Sequence, residues 1–219
     1  MFSGPAATHL VWSIVTRLGE AQVLLPAALA VAAWLALRAR AGRMAAVWLG
    51  LLGLAMFVTT ATKVAFIGWG VGSAALNFTG VSGHSMFATA IYPLVFRGMV
   101  SDMSERAQRR AIVAGYGLAL VVAASRVMVQ AHSVSEAAAG LALGGAASAL
   151  ALWCAEVPSA PAPRFLAAGF VAWILISQTG TQPLPTHSLV TRLALQLSGH
   201  TTPYTRQDLR RGAERQPLH

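Results

Sequence analysis

Residues 111–136 read AIVAGYGLALVVAASRVMVQAHSVSE. An apolar run over 111–128 closes on Ser125-Arg126, and after a short polar break a second apolar run opens at about 135, with Glu136 at its start. A bilayer core about 30 Å thick is crossed by roughly 20 residues of helix. The stretch therefore reads as the end of one membrane span, a tight connection and the start of the next. Ionisable groups at such depth are costly and point to function by default. Arg126, His132 and Glu136 are three of them within a dozen residues.

The whole chain fits that reading. It is 56% hydrophobic and only 11% charged, with a mean hydropathy of +0.60. A soluble domain carries about 25% charged residues, so this chain lacks the polar surface to fold in water. The expected fold is all-α: a polytopic membrane helix bundle of about six spans forming a single membrane-embedded domain, residues 1–199, followed by a polar basic tail, 200–219. Residues 1–8 hold no basic segment of the kind that opens a signal peptide, and the mildly amphipathic first 20 residues suit either an interfacial helix or a plain lead-in. Spans are expected at 21–37, 44–66, from His84 to Arg97, 111–128, 135–154 and, shorter, 165–177. The glycine-rich stretch 67–83 reads as a loop, as does charged 101–110. The three-proline linker 156–164 is no helix interior. Gly140-x-x-x-Gly144 permits close helix contact. Residues 186–199 are amphipathic, and the arginine-rich tail is expected to be poorly ordered. The lone cysteine, Cys154, forms no internal disulfide.

A net charge of +9 raises nucleic acid as a partner, but the arginines sit in short loops and in the tail, where topology signals lie. No nucleic-acid role is expected; the partners are the bilayer and a membrane lipid. The 38–43 loop holds three arginines (Arg38, Arg40, Arg43) and 97–110 holds four, whereas 67–83 and 127–134 hold none. A multi-pass protein of the cell (inner) membrane follows, with 67–83 and 127–134 on its non-cytoplasmic face. The tail arginines Arg206, Arg210, Arg211 and Arg215 do not obey that bias if all six segments cross.

Ionisable and turn-forming groups collect on that same face. His132 and Glu136 stand four apart, neighbours on one helix face. A carboxylate that holds one imidazole nitrogen leaves the other as a nucleophile. Arg126 offers a planar fork suited to phosphate oxygens. Ser82-Gly83-His84 stands where a loop becomes a helix, so Ser82 suits an N-cap and Gly83 a close backbone approach to an anion. His84, in that first turn, is placed to protonate a leaving oxygen. Lys63, the chain's single lysine, adds a fixed charge for transition-state oxygens. Each feature also has a plainer reading: a structural interface histidine, an ordinary helix cap, a snorkelling arginine. Their convergence on one face favours a phosphoryl-transfer site. His9, His187, His200 and His219 lack such company and read as bystanders, and no metal-ligand cluster is present.

Val81-Ser82-Gly83-His84 resembles the Pro-Ser-Gly-His motif of the type 2 phosphatidic acid phosphatase (lipid phosphate phosphatase) superfamily. Ser125-Arg126-x5-His132-x3-Glu136 is similar to its third motif, Ser-Arg-x5-His-x3-Asp, and Lys63 to the lysine of its first, Lys-x6-Arg-Pro. The resemblance covers about residues 10–155. It implies a six-helix core, a phosphohistidine intermediate on His132, Glu136 in the aspartate's role and His84 as general acid. Phosphate would be held by Lys63, Ser82, Gly83 and Arg126, with neither metal nor other cofactor. The chain departs from the pattern at Gly70-Val71, where the family has Arg-Pro, at Val81 and at Glu136. Gly70 is the larger departure, because it leaves the pocket one cation short and makes Gly70→Arg the natural gain-of-charge substitution.

The leading expectation is an integral-membrane phosphatase acting on a lipid phosphomonoester or diphosphate. A non-catalytic lipid-phosphate binding or transport protein is the alternative that Gly70 favours. A vanadate-dependent haloperoxidase, also supported by that superfamily, fits less well with a small membrane-embedded chain.

Overall fold

A computed structural model describes residues 5–37, 39–154, 164–178 and 186–214. Among them run nine helices: α1 (Pro5–Arg17), α2 (Ala21–Leu37), α3 (Gly42–Trp69), α4 (Gly83–Met99), α5 (Glu105–Met128), α6 (Val134–Cys154), α7 (Arg164–Gln178), α8 (Thr186–Ser198) and α9 (Arg206–Glu214). Pairing of extended backbone is limited, among the described residues, to one bridge between Ser73 and Phe78. The molecule is an all-α membrane bundle. Among the described residues, four stretches are long and apolar enough to cross a bilayer: His9–Leu37, Gly42–Trp69, Glu105–Met128 and Val134–Cys154. The first is broken at 18–20 between α1 and α2. Leu29, Leu54, Phe57, Val113, Leu120 and Trp153 stand exposed on α2, α3, α5 and α6. Such outer faces suit hydrocarbon, where helices satisfy their own backbone groups.

The six expected spans correspond to α2 through α7. α4, at 17 residues, is about 25 Å long at 1.5 Å per residue and is the buried centre of the bundle. Its contacts explain the order of the helices around it. Trp48 of α3 donates from Nε1 to the Ala90 carbonyl at 3.0 Å. The Tyr92 hydroxyl reaches the Leu18 carbonyl at 2.8 Å, tying α4 to the break between α1 and α2. A Cβ at Gly115 of α5 would stand 2.7 Å from the Pro93 Cα, and one at Gly140 of α6 would stand 2.5 Å from the Ser82 carbonyl oxygen. A Cβ at Gly144 would come closer still, to the Met86 carbonyl oxygen. The Gly140-x-x-x-Gly144 pair is thus the α6 surface on which α4 lies.

Of the two readings of the first 20 residues, the structure has the helix, α1, packed on α5. Two expectations are corrected. The charged loop is shorter than 101–110, because Ser104 caps α5 by accepting from the Ala107 N–H and the acidic Glu105 suits the first turn. Arg106, Arg109 and Arg110 therefore belong to α5. The tail, expected to be poorly ordered, is folded through residue 214: Tyr204 N–H donates to the Ile67 carbonyl at 2.9 Å, and α9 follows. The amphipathic stretch before it is α8, packed on α3. The linker 156–163, Arg38, Arg215 and His219 lie outside the described residues, and Arg164 opens α7.

Candidate active site

The ends of α3 and α5, the starts of α4 and α6 and residues 199–206 meet at one end of the bundle. Glu136 is its hub. The side chain has no exposed surface and accepts from the Thr79 N–H at 2.7 Å and the Thr79 hydroxyl at 2.6 Å. It also accepts from the Ser133 N–H at 3.1 Å and from Arg206 Nη2, which stands 2.9 Å from both carboxylate oxygens. The His132 ring meets it through Nδ1 at 2.8 Å. That contact assigns the Nδ1 proton to the Glu136 bond and leaves Nε2 with its lone pair. The His132 side chain is 15% exposed. Burial pushes its imidazole below the ordinary histidine range, with the Glu136 hydrogen bond opposing and the Lys63 and Arg126 charges adding to the fall.

The local chain explains why these groups meet. α6 approaches α4 closely at Gly140, and Glu136 lies one turn earlier on the same helix. The Glu136 carbonyl consequently accepts from the Ser82 N–H at 3.1 Å, fixing the start of α4. Ser82 occupies the N-cap position, but its hydroxyl caps no backbone N–H; it accepts instead from the Ser85 hydroxyl at 3.1 Å. The expected side-chain cap is therefore absent, which leaves the first-turn N–H groups of α4 uncovered by Ser82. A Cβ on Gly83 would stand 3.8 Å from Lys63 Nζ, so the lysine ends beside that turn. Gly19, in the break before α2, lies against the His84 Cβ and Val122, so the α1–α2 turn backs His84.

Arg126 donates from Nη1 to the Thr16 hydroxyl at 2.7 Å, while its Nε is buried and finds no acceptor. The Lys63 ammonium and the His84 ring likewise make no hydrogen bond or ion pair among the described residues. His84 lies within coulombic range of Arg126, His132 and Lys63. Lys63 in turn lies within range of Arg126 and Glu136. All seven residues singled out from the sequence, Lys63, Ser82, Gly83, His84, Arg126, His132 and Glu136, are thus at this one end. Of the remaining histidines, His200 serves the fold, its Nδ1 meeting the Gly68 carbonyl at 2.7 Å. His9 is exposed on α1.

The geometry has a counterpart among known proteins. Residues 67–158 match the family model of the PAP2 superfamily. The chain is also 36% identical over 206 residues to an uncharacterised 22.5 kDa protein in the cps region of Klebsiella pneumoniae, covering 92% of this chain and 99% of that relative. This chain belongs to the PAP2 superfamily. Its members are for the most part phosphatases and phosphoesterases, and the membrane helices place the chain with the integral-membrane ones. The PAP2 match takes in Ser82-Gly83-His84 and the Arg126–Glu136 run, whereas Lys63 lies four residues before it. No solved structure matches the chain.

Two features of this PAP2 site were not read from the sequence. Arg206 lies 70 residues from Glu136 in a segment of ordinary tail composition, and Thr79 is one of several small residues in a loop. Neither carries a periodic or motif signal. Position 70 also differs from expectation. Gly70 is the C-cap of α3 with φ +71°, and a Cβ there would meet the Tyr204 ring at 3.0 Å. It faces Tyr204, so a side chain at 70 would meet that ring before it could reach the anion site.

A second concavity is unrelated to this chemistry. Between α2, α4 and α7 lies an apolar cavity of about 290 Å³, lined by Val31, Trp34, Val95, Phe170 and Trp173 among others. It contains no ionisable side chain, and Val95 comes from the end of α4 remote from His84.

Proposed function

We propose that the protein is an integral-membrane phosphatase that hydrolyses a lipid phosphomonoester or diphosphate at the non-cytoplasmic surface. The observation that carries the reading is an imbalance of donors. Lys63, His84 and Arg126 lie within coulombic range of one another and of His132, and the Lys63 ammonium, the His84 ring and Arg126 Nε have no acceptor among the described residues, while the carboxylate bound to His132, Glu136, is saturated by other partners. Buried polar groups are normally paired, so an oxyanion such as phosphate is the natural complement. Arg206 on Glu136 strengthens this, since it leaves the Lys63 and Arg126 charges uncancelled by that carboxylate.

In this scheme Lys63, Arg126 and the Ser82–Gly83 turn hold the phosphoryl oxygens, where fixed donors stabilise developing charge. His132 Nε2 attacks phosphorus, the P–O bond to the leaving group breaks, and His84 gives its proton to the departing oxygen. Glu136 holds the Nδ1–H and stabilises the imidazolium that forms. Water then attacks phosphorus, His84 accepts its proton, the P–N bond breaks, and His132 is restored with release of phosphate. The site's place at one end of a membrane bundle suits a substrate whose tail stays in the bilayer.

Purified protein in detergent micelles is assayed for phosphate release from a panel of phosphatidate, phosphatidylglycerol phosphate, a polyprenyl diphosphate and a lipid A phosphate. Release from at least one, abolished by His132→Ala, is the expected result, with an acid-labile, base-stable phosphoryl adduct trapped on His132. Full activity in His132→Ala overturns the mechanism. Tight binding of a lipid phosphate without any release supports the binding-protein alternative.

A further inference from the structure

Arg206 is the most heavily engaged cation of the site end, yet it touches neither His132 nor the groups left without acceptors. Its Nη1 donates to the Asn77 carbonyl at 2.9 Å and the Asn77 side-chain oxygen at 3.1 Å. Its Nη2 donates to the Thr79 hydroxyl at 3.1 Å and spans both oxygens of Glu136. One guanidinium thereby joins the C-terminal segment, the 70–82 loop and the carboxylate that orients His132. Such a planar fork is a geometry that lysine does not reproduce.

We propose that Arg206 is a positioning residue for the His132–Glu136 pair, holding Glu136 as a fixed carboxylate and limiting how strongly that carboxylate stabilises charge on His132. The inference rests on the phosphohistidine reading above, and it adds a residue supplied from outside the stretch that carries the family motifs.

The physical argument concerns a buried charge. A carboxylate with no exposed surface needs compensation, and removing one partner of a buried pair leaves an uncompensated charge. With Arg206 present, the guanidinium supplies the countercharge, and His132 gives only an N–H. Without it, the nearest group able to become the countercharge is His132, by taking a proton on Nε2. That proton would occupy the lone pair meant for phosphorus. The charged and titratable groups around His132 are Lys63 of α3, His84 of α4, Arg126 of α5, Glu136 of α6 and Arg206 of α9, with Glu20 in coulombic range of Arg126. Only Arg206 reaches His132 through Glu136 alone.

The test is a titration of His132 by nitrogen NMR in the full-length, histidine-labelled protein in detergent micelles, the resonance assigned by its loss in His132→Gln. Arg206→Ala is expected to raise the His132 midpoint by about one pH unit, as removal of a nearby like charge does. The acid limb of kcat/KM should move up with it. Arg206→Lys should keep the midpoint near the wild-type value while lowering kcat. Tyr204→Ala, which loosens the same segment without removing charge, should leave the midpoint where it was. An unmoved midpoint in Arg206→Ala, or an equal shift in Tyr204→Ala, overturns the proposal. Should Arg206→Ala fold too poorly to titrate, Arg206→Gln carries the same comparison. The NMR readout needs no turnover, so a wild-type protein that releases no phosphate refutes the phosphatase reading while the Arg206 result still stands or falls by itself.

Discussion

Gly70 lies beneath the ring of Tyr204, with the Tyr204 Cδ1 3.0 Å from the point where a Cβ would stand. The same glycine closes α3 in the left-handed region, its N–H bonded back to the Phe66 carbonyl at 2.8 Å. Gly70→Arg therefore does not restore a missing phosphate ligand. A non-glycine residue there costs about 1–2 kcal/mol in backbone strain, and its side chain displaces the Tyr204 ring and the backbone that carries it. Thermal unfolding should show a lower Tm, and phosphate release should fall. A rise in turnover would mean that the segment yields and the new guanidinium reaches the anion.

Gly140 holds the distance between α6 and the start of α4. A Cβ there would press on the Ser82 carbonyl oxygen and the Ser85 Cβ, both at the N-terminus that carries His84. Gly140→Ala should separate Ser82 from Glu136 and cost roughly 1–3 kcal/mol, the usual range for overpacking. Gly117 of α5, which meets nothing within 4 Å, is the control: Gly117→Ala should leave stability unchanged or slightly raised. Equal Tm shifts at the two positions would argue against a close α4–α6 contact.

These two glycines also show what was legible in the sequence. Gly140-x-x-x-Gly144 announces a close contact because small residues four apart form a continuous surface on a helix, and the partner follows from the fold. The seven site residues are legible for a related reason: each is an ionisable or turn-forming residue at the edge of an apolar run, where its cost demands an explanation. Gly70 misleads because the lack of a side chain reads as a lost function, when the backbone angle and Tyr204 require it. Arg206 is silent because an arginine in a polar segment is the least informative residue in a membrane protein. Only its three-dimensional return to Glu136 gives it meaning.

The pH dependence should reflect a nucleophile kept neutral. His132 must have a free Nε2 to attack, and burial holds its imidazole below the ordinary value of 6.5. The lone pair is thus present across the neutral range and is lost only as pH falls through the lowered value. The acid limb of kcat/KM, which reports the free enzyme, is expected below pH 6.5 for a substrate whose own ionisation lies elsewhere. An acid limb above neutrality would assign the titration to a different group.

Leu76, 64% exposed in the 70–82 loop, and Met103, 56% exposed in the turn before α5, lie at opposite ends of the bundle. With the exposed Cys154 first replaced by serine, a cysteine at Leu76 should react with a membrane-impermeant thiol reagent in intact cells. One at Met103 should react only after the membrane is opened. The arginines at 40, 43, 106, 109 and 110 lie near the Met103 end, and the positive-inside rule is the ground for expecting that orientation. The reverse labelling pattern would place the site on the cytoplasmic side.

Glu136 makes a sharper demand on substitution than charge alone. Every hydrogen-bonding group aimed at it is a donor: the Thr79 N–H and hydroxyl, the Ser133 N–H, Arg206 Nη2 and, in the orienting tautomer, His132 Nδ1–H. Glu136→Gln keeps the shape but turns an NH₂ toward one of two donor sets, so a buried donor faces donors and is left unsatisfied, at about 1–3 kcal/mol. The same change removes the charge that stabilises the His132 imidazolium. By analogy with the loss of an orienting carboxylate elsewhere, turnover should drop on the order of 10²–10⁴-fold, with a much smaller effect on binding of a substrate analogue. Glu136→Asp keeps the charge on a shorter stem, which draws it away from either His132 or Arg206. It should retain more activity than Glu136→Gln but less than wild type. Parallel measurement of kcat, analogue affinity and Tm separates the outcomes. If Glu136→Gln lowered Tm alone and spared kcat in the folded fraction, Glu136 would be a structural hub with no hand in orienting the nucleophile.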